Sequence, residues 1–219
     1  EAGEAEREAE YLNRKNVRVL ADFSAVLDHY PGLSLLDNLP ERKAESMAYI
    51  KNVLEKAAKY RCAGVLVQMH RNAECSFSID KAKQSFIDAF AQIGEMARYY
   101  GIAVYAQNRP VLTETVEFFD LVKDIPNVKP AFNFSNSVCA GDNATEIVKQ
   151  FDGAMVLLSA PAKDGFGQFY NMRLPIAGSE YENELREMGT AFKVKKNSVI
   201  VLAAEYNDWD DVYKDLSCL

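Results

Sequence analysis

Short apolar runs alternate along the chain with longer segments whose apolar residues recur at helical spacing. Six runs read as strands: 17–23 (VRVLADF), 64–69 (GVLVQM), 102–107 (IAVYAQ), 128–134 (VKPAFNF), 154–159 (AMVLLS) and 199–204 (VIVLAA). Several are continuously apolar instead of alternating, as strands covered on both faces are. Between them, residues 41–60 place Met47, Ile50, Leu54 and Ala57 on one helical face, and 81–100 do the same with Phe86, Phe90, Ile93 and Ala97. Ser179 with Glu182 spells a capping box, Asn143 with Glu146 a weaker one, and Thr113 is placed to cap a helix over 114–123. Gly101 stands where a helix ending in the left-handed conformation needs it. This repetition is that of βα units on a parallel sheet. No Ser/Gly-rich linker or compositional break interrupts it, so residues 1–219 read as a single domain.

Two architectures share this pattern, the doubly wound open sheet and the (β/α)8 barrel. A dinucleotide-binding open sheet needs G-x-G-x-x-G at its first strand-to-helix turn, and the chain offers only Gly165-Phe166-Gly167 late in a long segment. The barrel accounts for a further regularity: from the second run onward each strand leads into a polar residue, His70, Gln107, Asn133, Ser159 and Glu205. In a barrel those ends lie at the C-terminal mouth, where chemistry is carried.

Composition narrows the function. The 219 residues carry 25 Lys+Arg against 32 Asp+Glu, a net charge of −7, and 48% are hydrophobic. An acidic balance without a basic block argues against a nucleic-acid partner. No run approaches the roughly 18 apolar residues of a membrane span. Cys62, Cys75, Cys139 and Cys218 are scattered without a C-x-x-C pair, which suits neither a zinc ribbon nor a disulfide framework. The first residue is Glu1, and residues 1–10 are polar and charge-dense instead of a signal sequence, so an upstream segment is expected to be missing.

Several stretches resemble one family. Residues 98–110 (RYYGIAVYAQNRP) are similar to the A-x-x-x-G-v-x-l-x-x-E-N-h-P segment of the xylose isomerase-like barrels, which include sugar phosphate isomerases and epimerases and the second family of apurinic-site endonucleases. Residues 127–136 (NVKPAFNFSN) resemble that family's p-N-v-g-x-x-x-D-x-x-H strand, 154–164 (AMVLLSAPAKD) its i-x-x-v-H-x-K-D strand, and 199–208 its last strand, whose carboxylate falls on Glu205. The resemblance spans about residues 10–215 and implies a (β/α)8 TIM barrel, here lacking the first βα unit and the second strand. A full barrel of this kind takes about 250 residues.

The resemblance also implies a site, and this chain departs from it. Typical members hold one divalent metal through a Glu, an Asp, a His or second carboxylate and a final Glu, and move a proton between adjacent sugar carbons. The corresponding positions here are Gln107, Asn133, Asn136 with Ser159, and Glu205. Amides keep the shape and lose the charge. A hard cation needs anionic oxygens to offset its dehydration, so no metal cofactor is expected. Gln107 cannot serve as a base.

Carboxamides offer donors and an acceptor together and suit hydroxyl-rich ligands. The expected substrate-binding residues are His70, Gln107, Asn108, Asn133, Asn136 and Lys163, with Glu205 as the catalytic group. The plainer alternative is that the amides hydrogen-bond one another, that His70 is structural and that Glu205 forms an ion pair. Arg109 and Arg173 are candidates to grip an anion, Phe166, Phe169 and Tyr170 to stack on a ring or form a lid from 161–175, and His29 reads as structural. No G-x-S-x-G elbow occurs. The expected function is that of a sugar phosphate isomerase/epimerase-like protein binding a carbohydrate or polyol, with weak, altered or lost metal-dependent activity. A scaffolding barrel is the alternative. An apurinic-site endonuclease relative is disfavoured by two histidines and the negative charge. Nucleic acid and membrane are not expected as partners, while homo-oligomerisation and cellular location stay open.

Overall fold

The computed structural model describes residues 2–15, 18–23, 40–68, 79–108, 115–153, 155–163, 169–193 and 199–219. All six expected strands form. They divide between two compact units, one comprising residues 1–107 and 120–129 and the other 108–119 and 130–219.

Unit 1 begins with helix α1 (Ala2–Arg14), formed by the charge-dense opening stretch. Strand β1 (Leu20–Asp22), helix α2 (Pro40–Lys59), strand β2 (Gly64–Gln68), helix α3 (Ile79–Tyr100) and strand β3 (Ala103–Gln107) follow. The three strands are parallel, with Leu20 opposite Gly64 and Gly64 opposite Ala103 at one end and Gln68 opposite Gln107 at the other. Helix α2 packs on β1, β2 and α3, and α3 packs on β3. The residues that do this are mostly those the helical period selects: Ile50, Leu54, Ala57, Phe86, Phe90, Ile93 and Ala97 are all essentially buried, while Met47 is half-buried and the adjacent Ser46 is buried. Each large apolar side chain so buried contributes about 1.5–3 kcal/mol. Gly101 closes α3 in the left-handed conformation at φ 68°, and the Ile102 amide reaches back to the Ala97 carbonyl at 2.9 Å.

Gly94, inside α3, meets the chain just before the next strand. A Cβ at this position would stand 2.4 Å from the Pro126 carbonyl oxygen and 3.1 Å from a Val128 methyl. The adjacent Asn127 is left-handed at φ 62° and donates from Nδ2 to the Gly94 and Ile102 carbonyls, at 3.2 and 2.9 Å. An asparagine tolerates this conformation better than most residues, and here its side chain ties the turn to the helix.

The chain passes between the units after β3, and again within helix α4 (Thr115–Val122) and strand β4 (Val128–Asn133). Unit 2 continues with helices α5 (Phe134–Ala140) and α6 (Ala144–Gln150), strands β5 (Met155–Leu158), β6 (Ala160–Lys163) and β7 (Phe169–Leu174), helix α7 (Glu182–Lys193), strand β8 (Val199–Leu202) and helix α8 (Trp209–Cys218). Strand β5 is parallel to both neighbours, with Phe132 opposite Val156 and Val156 opposite Ile200. A chain of rings, Phe119, Phe132, Phe151 and Phe192, fills the core at centroid separations of 4.5 to 6.2 Å.

Three details differ from the sequence expectation. The strand ends at Asn133, not Phe134, because Asn133 caps α5: its side chain accepts from the Asn136 amide at 3.1 Å. Residues 161–175 do not form a loop alone, since β6 and β7 pair as an antiparallel ribbon with Lys163 opposite Phe169. The Ser179 cap is also modified. Its Oγ accepts from the Tyr181 amide at 3.3 Å, while Glu182 reaches back to the Gly178 amide at 2.8 Å. Asn143 caps α6 as expected, accepting from the Glu146 amide at 3.2 Å.

Helix α8 is fastened by Asp215, which is fully buried. Its carboxylate accepts from the Ile176 amide (2.8 and 3.0 Å), the Ala177 amide (2.7 Å) and the Tyr206 hydroxyl (2.7 Å). Burial, then the hydrogen bond to Asp215, hold the Tyr206 phenol well above the usual tyrosine range. No helix among the described residues is long and apolar enough to cross a membrane.

Candidate functional site

The C-terminal strand ends are polar in both units, and each unit handles the polarity differently. In unit 1, register pairing puts Gly64, Leu66 and Gln68 on one sheet face with Ala103, Tyr105 and Gln107. The Tyr105 ring occupies the space a Cβ at Gly64 would need, 2.4 Å from it. Val65, Val67, Val104 and Ala106 form the opposite row and are fully buried. Asp22, opposite Leu66 on β1, continues the first face.

Gln68 and Gln107 are therefore neighbours at the last rung, on adjacent strands about 4.8 Å apart. Both are buried, at 1% and 0% exposure. Neither Oε1 nor Nε2 of Gln68 has a hydrogen-bond partner. A buried polar group left in this state costs about 1–3 kcal/mol, which native proteins seldom leave uncompensated. Sequence reasoning passed over Gln68 in favour of His70. Its signal was a glutamine standing inside an otherwise apolar run.

In unit 2 the carboxamides bond to one another and to the backbone. Asn108 Oδ1 accepts from the Asn133 amide at 2.6 Å, and Asn108 Nδ2 donates to Thr115 Oγ1 and to the Asn133 carbonyl, both at 3.3 Å. Asn136 Nδ2 donates to the Asn108 carbonyl at 2.7 Å. Thr115 Oγ1 donates in turn to Asp142 Oδ2 at 2.5 Å, and Ser137 Oγ reaches the same oxygen at 3.0 Å. Asn108, Asn133 and Asn136 are each 1% exposed. On the neighbouring strand end Ser159 is buried with Ser135, whose Oγ donates to the Ser159 carbonyl at 2.7 Å and lies 2.9 Å from its hydroxyl. Thr115, Ser135, Ser137 and Asp142 were not singled out by motif reasoning, because their roles depend on a fold-made network and on no spacing of their own.

Lys163, at the end of β6, pairs with Glu180 at 2.7 and 2.9 Å, and that hydrogen bond raises its pKa. Both groups are substantially exposed, so the pair adds little stability. With Tyr181, Leu174 and Ala160, they border a depression of about 400 Å³. Glu205 is exposed on the segment between β8 and α8. Phe169, Tyr170 and Arg173 belong to β7. His29, His70, Cys75, Arg109, Thr113, Gly165, Phe166 and Gly167 lie outside the described residues. Burial pushes the thiols of Cys62, Cys139 and Cys218 up, away from the thiolate form that nucleophilic chemistry uses.

These donors do not fit a divalent metal. Asn133 Oδ1 is engaged by the α5 cap and the Asn136 amide group by a carbonyl. A hard cation seeks anionic oxygens, and amides supply none. Among the described residues no group of three or more His, Cys, Asp or Glu is arranged to hold a metal ion.

No protein-family profile matches the chain, and no curated protein matches it in sequence. Solved structures do match in fold. The chain superposes on a D-tagatose 3-epimerase-like protein with a TM-score of 0.75 at 18% identity, covering 97% of this chain and 80% of that one. It matches an IOLI protein with a bound zinc atom at 0.74 and 12% identity, covering 98% and 79%. It also matches D-psicose 3-epimerase in the presence of D-fructose at 0.67 and 13% identity, covering 99% and 74%. Parallel strands, alternating helices and these neighbours together establish a mixed α/β fold of the xylose isomerase-like TIM-barrel type.

Proposed function

We propose that this chain, which has the fold of the xylose isomerase-like sugar epimerases and isomerases, binds a neutral sugar or polyol at the C-terminal ends of its parallel strands. We further propose that metal-assisted proton transfer is weakened or lost. One observation supports the reading above others: buried carboxamides stand at strand ends where the family resemblance calls for metal-binding carboxylates, Gln107 in unit 1 and Asn133 in unit 2. Such groups can exchange hydrogen bonds with hydroxyls and cannot take up a proton at neutral pH.

In this reading Gln107 contacts the ligand, and Asn108, Asn133 and Asn136 hold the ends of their strand and helix in fixed positions through the bonds they make to one another. Lys163 with Glu180 borders the depression beside β6, and His70 follows β2 in the sequence. Glu205 is the remaining carboxylate in the resemblance and the group available to exchange a proton. In this reading residues 1–219 serve as a single domain.

A thermal-shift screen against monosaccharides, polyols and sugar phosphates, combined with metal analysis of the purified protein, tests this. Ligand at a hundred times its Kd stabilises by about 2.7 kcal/mol, which for a chain of this size raises Tm by roughly 5–10 °C. Stabilisation by neutral sugars with no stoichiometric metal is expected. Stoichiometric metal held through Glu205 would overturn the loss of the metal site, and no stabilisation by any carbohydrate would favour a scaffolding barrel.

A further inference from the structure

The proposed sugar-binding role assigns Gln107 of unit 1 to a neutral ligand and leaves open which further group there recognises it. Gln68 is that group. It is the only side chain among the described residues whose buried polar atoms lack a hydrogen-bond partner altogether. It shares the last rung of the sheet with Gln107, on the face that also carries Tyr105 and Asp22 and opposite the row covered by Val65, Val67, Val104 and Ala106.

We infer that Gln68 is a ligand-contacting residue that, side by side with Gln107, reads adjacent hydroxyl groups of a neutral polyhydroxy compound. A carboxamide presents an acceptor and two donors in one plane. It can accept a hydrogen bond from one hydroxyl and donate to the oxygen of the next, which is the pattern a vicinal diol offers. Water-exposed glutamine would gain little from this exchange. A buried and unpartnered one gains both hydrogen bonds without giving up existing ones, so occupancy removes a penalty that the free protein carries.

The same face specifies charge. Neither glutamine is cationic, and β1, β2 and β3 contain no Lys or Arg. A phosphate or carboxylate group at this rung would meet two neutral amides and no strand cation to offset its charge. Recognition here therefore selects the uncharged part of a ligand.

This inference rests on the sugar-binding reading, and calorimetric titration separates the two. D-fructose, D-sorbitol, myo-inositol and D-fructose 6-phosphate are titrated into the full chain and into its Gln68→Leu and Gln68→Met variants, each checked by circular dichroism. The expected result is measurable affinity of the original chain for at least one neutral compound, no tighter binding of the phosphate ester, and at least tenfold weaker binding by whichever variant is folded. Unliganded variants should melt no lower than the original, because an unpartnered polar group has been removed. Unchanged affinity in a folded variant would overturn the role of Gln68 while leaving sugar binding intact. Tighter binding of the phosphate ester would overturn the neutral specificity. Absence of binding to all four compounds by the original chain would overturn the sugar-binding reading and this inference with it.

Discussion

Unit 1 and unit 2 both bury amides at the ends of parallel strands, yet Gln68 in the first and Asn108 in the second are in opposite energetic states. Gln68 is buried with both polar atoms unpartnered. Asn108, equally buried, places its Oδ1 on the Asn133 amide and its Nδ2 on Thr115 and on the Asn133 carbonyl. The same functional group is thus a source of internal strain in one region and a structural fastener in the other. A polar residue at a strand end therefore says little by itself. What distinguishes a recognition group from a cap is whether the protein supplies its partners.

Substitutions test this contrast directly. The largest effect is expected where a fastener is most heavily used: Asp215→Ala strands the Ile176 and Ala177 amides and the Tyr206 hydroxyl. It should lower the unfolding free energy by about 3–5 kcal/mol in urea titration. Asn108→Ala removes the acceptor of the buried Asn133 amide. A loss of about 2 kcal/mol is expected by the same measurement. Gln68→Leu should carry the opposite sign, a gain of about 1 kcal/mol, since it deletes unpartnered atoms and keeps apolar volume. If Gln68→Leu were as destabilising as Asn108→Ala, the two regions would not differ in the way described.

A smaller effect separates the Tyr206 contact by pH. The folded phenol is held above its ordinary value of 10.0, chiefly by burial and then by Asp215. Its contribution is therefore complete below pH 10, where the unfolded tyrosine is still protonated, and declines as pH rises and the unfolded phenol ionises first. Chemical denaturation between pH 8 and 11 should show stability falling at the alkaline end, and Tyr206→Phe should flatten that fall.

Much of the fold was legible in the sequence because it rests on periodicity. The faces Ile50, Leu54, Ala57 and Phe86, Phe90, Ile93, Ala97 follow directly from 3.6-residue spacing. The six strands follow from apolar runs too short for helices. The ribbon of β6 and β7 was not legible, since Ala160–Lys163 and Phe169–Leu174 carry neither a strict alternation nor a two-residue turn between them. Amide positions at the strand ends were found through motif resemblance, which reports residue type and not hydrogen-bond state. That state depends on Thr115 and Asp142, which the fold brings together from 27 residues apart. Asp215 had a faint signal, an acid on the buried stripe of an amphipathic helix, but its partners at Ile176 and Ala177 are 39 and 38 residues away.

The contact at Gly94 has a consequence for how this chain can drift. The exposed positions of helix α3 can exchange one surface residue for another, but at Gly94 the gap to the Pro126 carbonyl admits a hydrogen atom and not a methyl group. An added carbon at that point would have to push a backbone oxygen, and with it the first residues of β4. One missing side chain thereby acts as a spacer of fixed thickness between a helix and the turn that launches the next strand, so an inherited change there would be felt first as a displaced strand end and only secondarily as a lost helix contact.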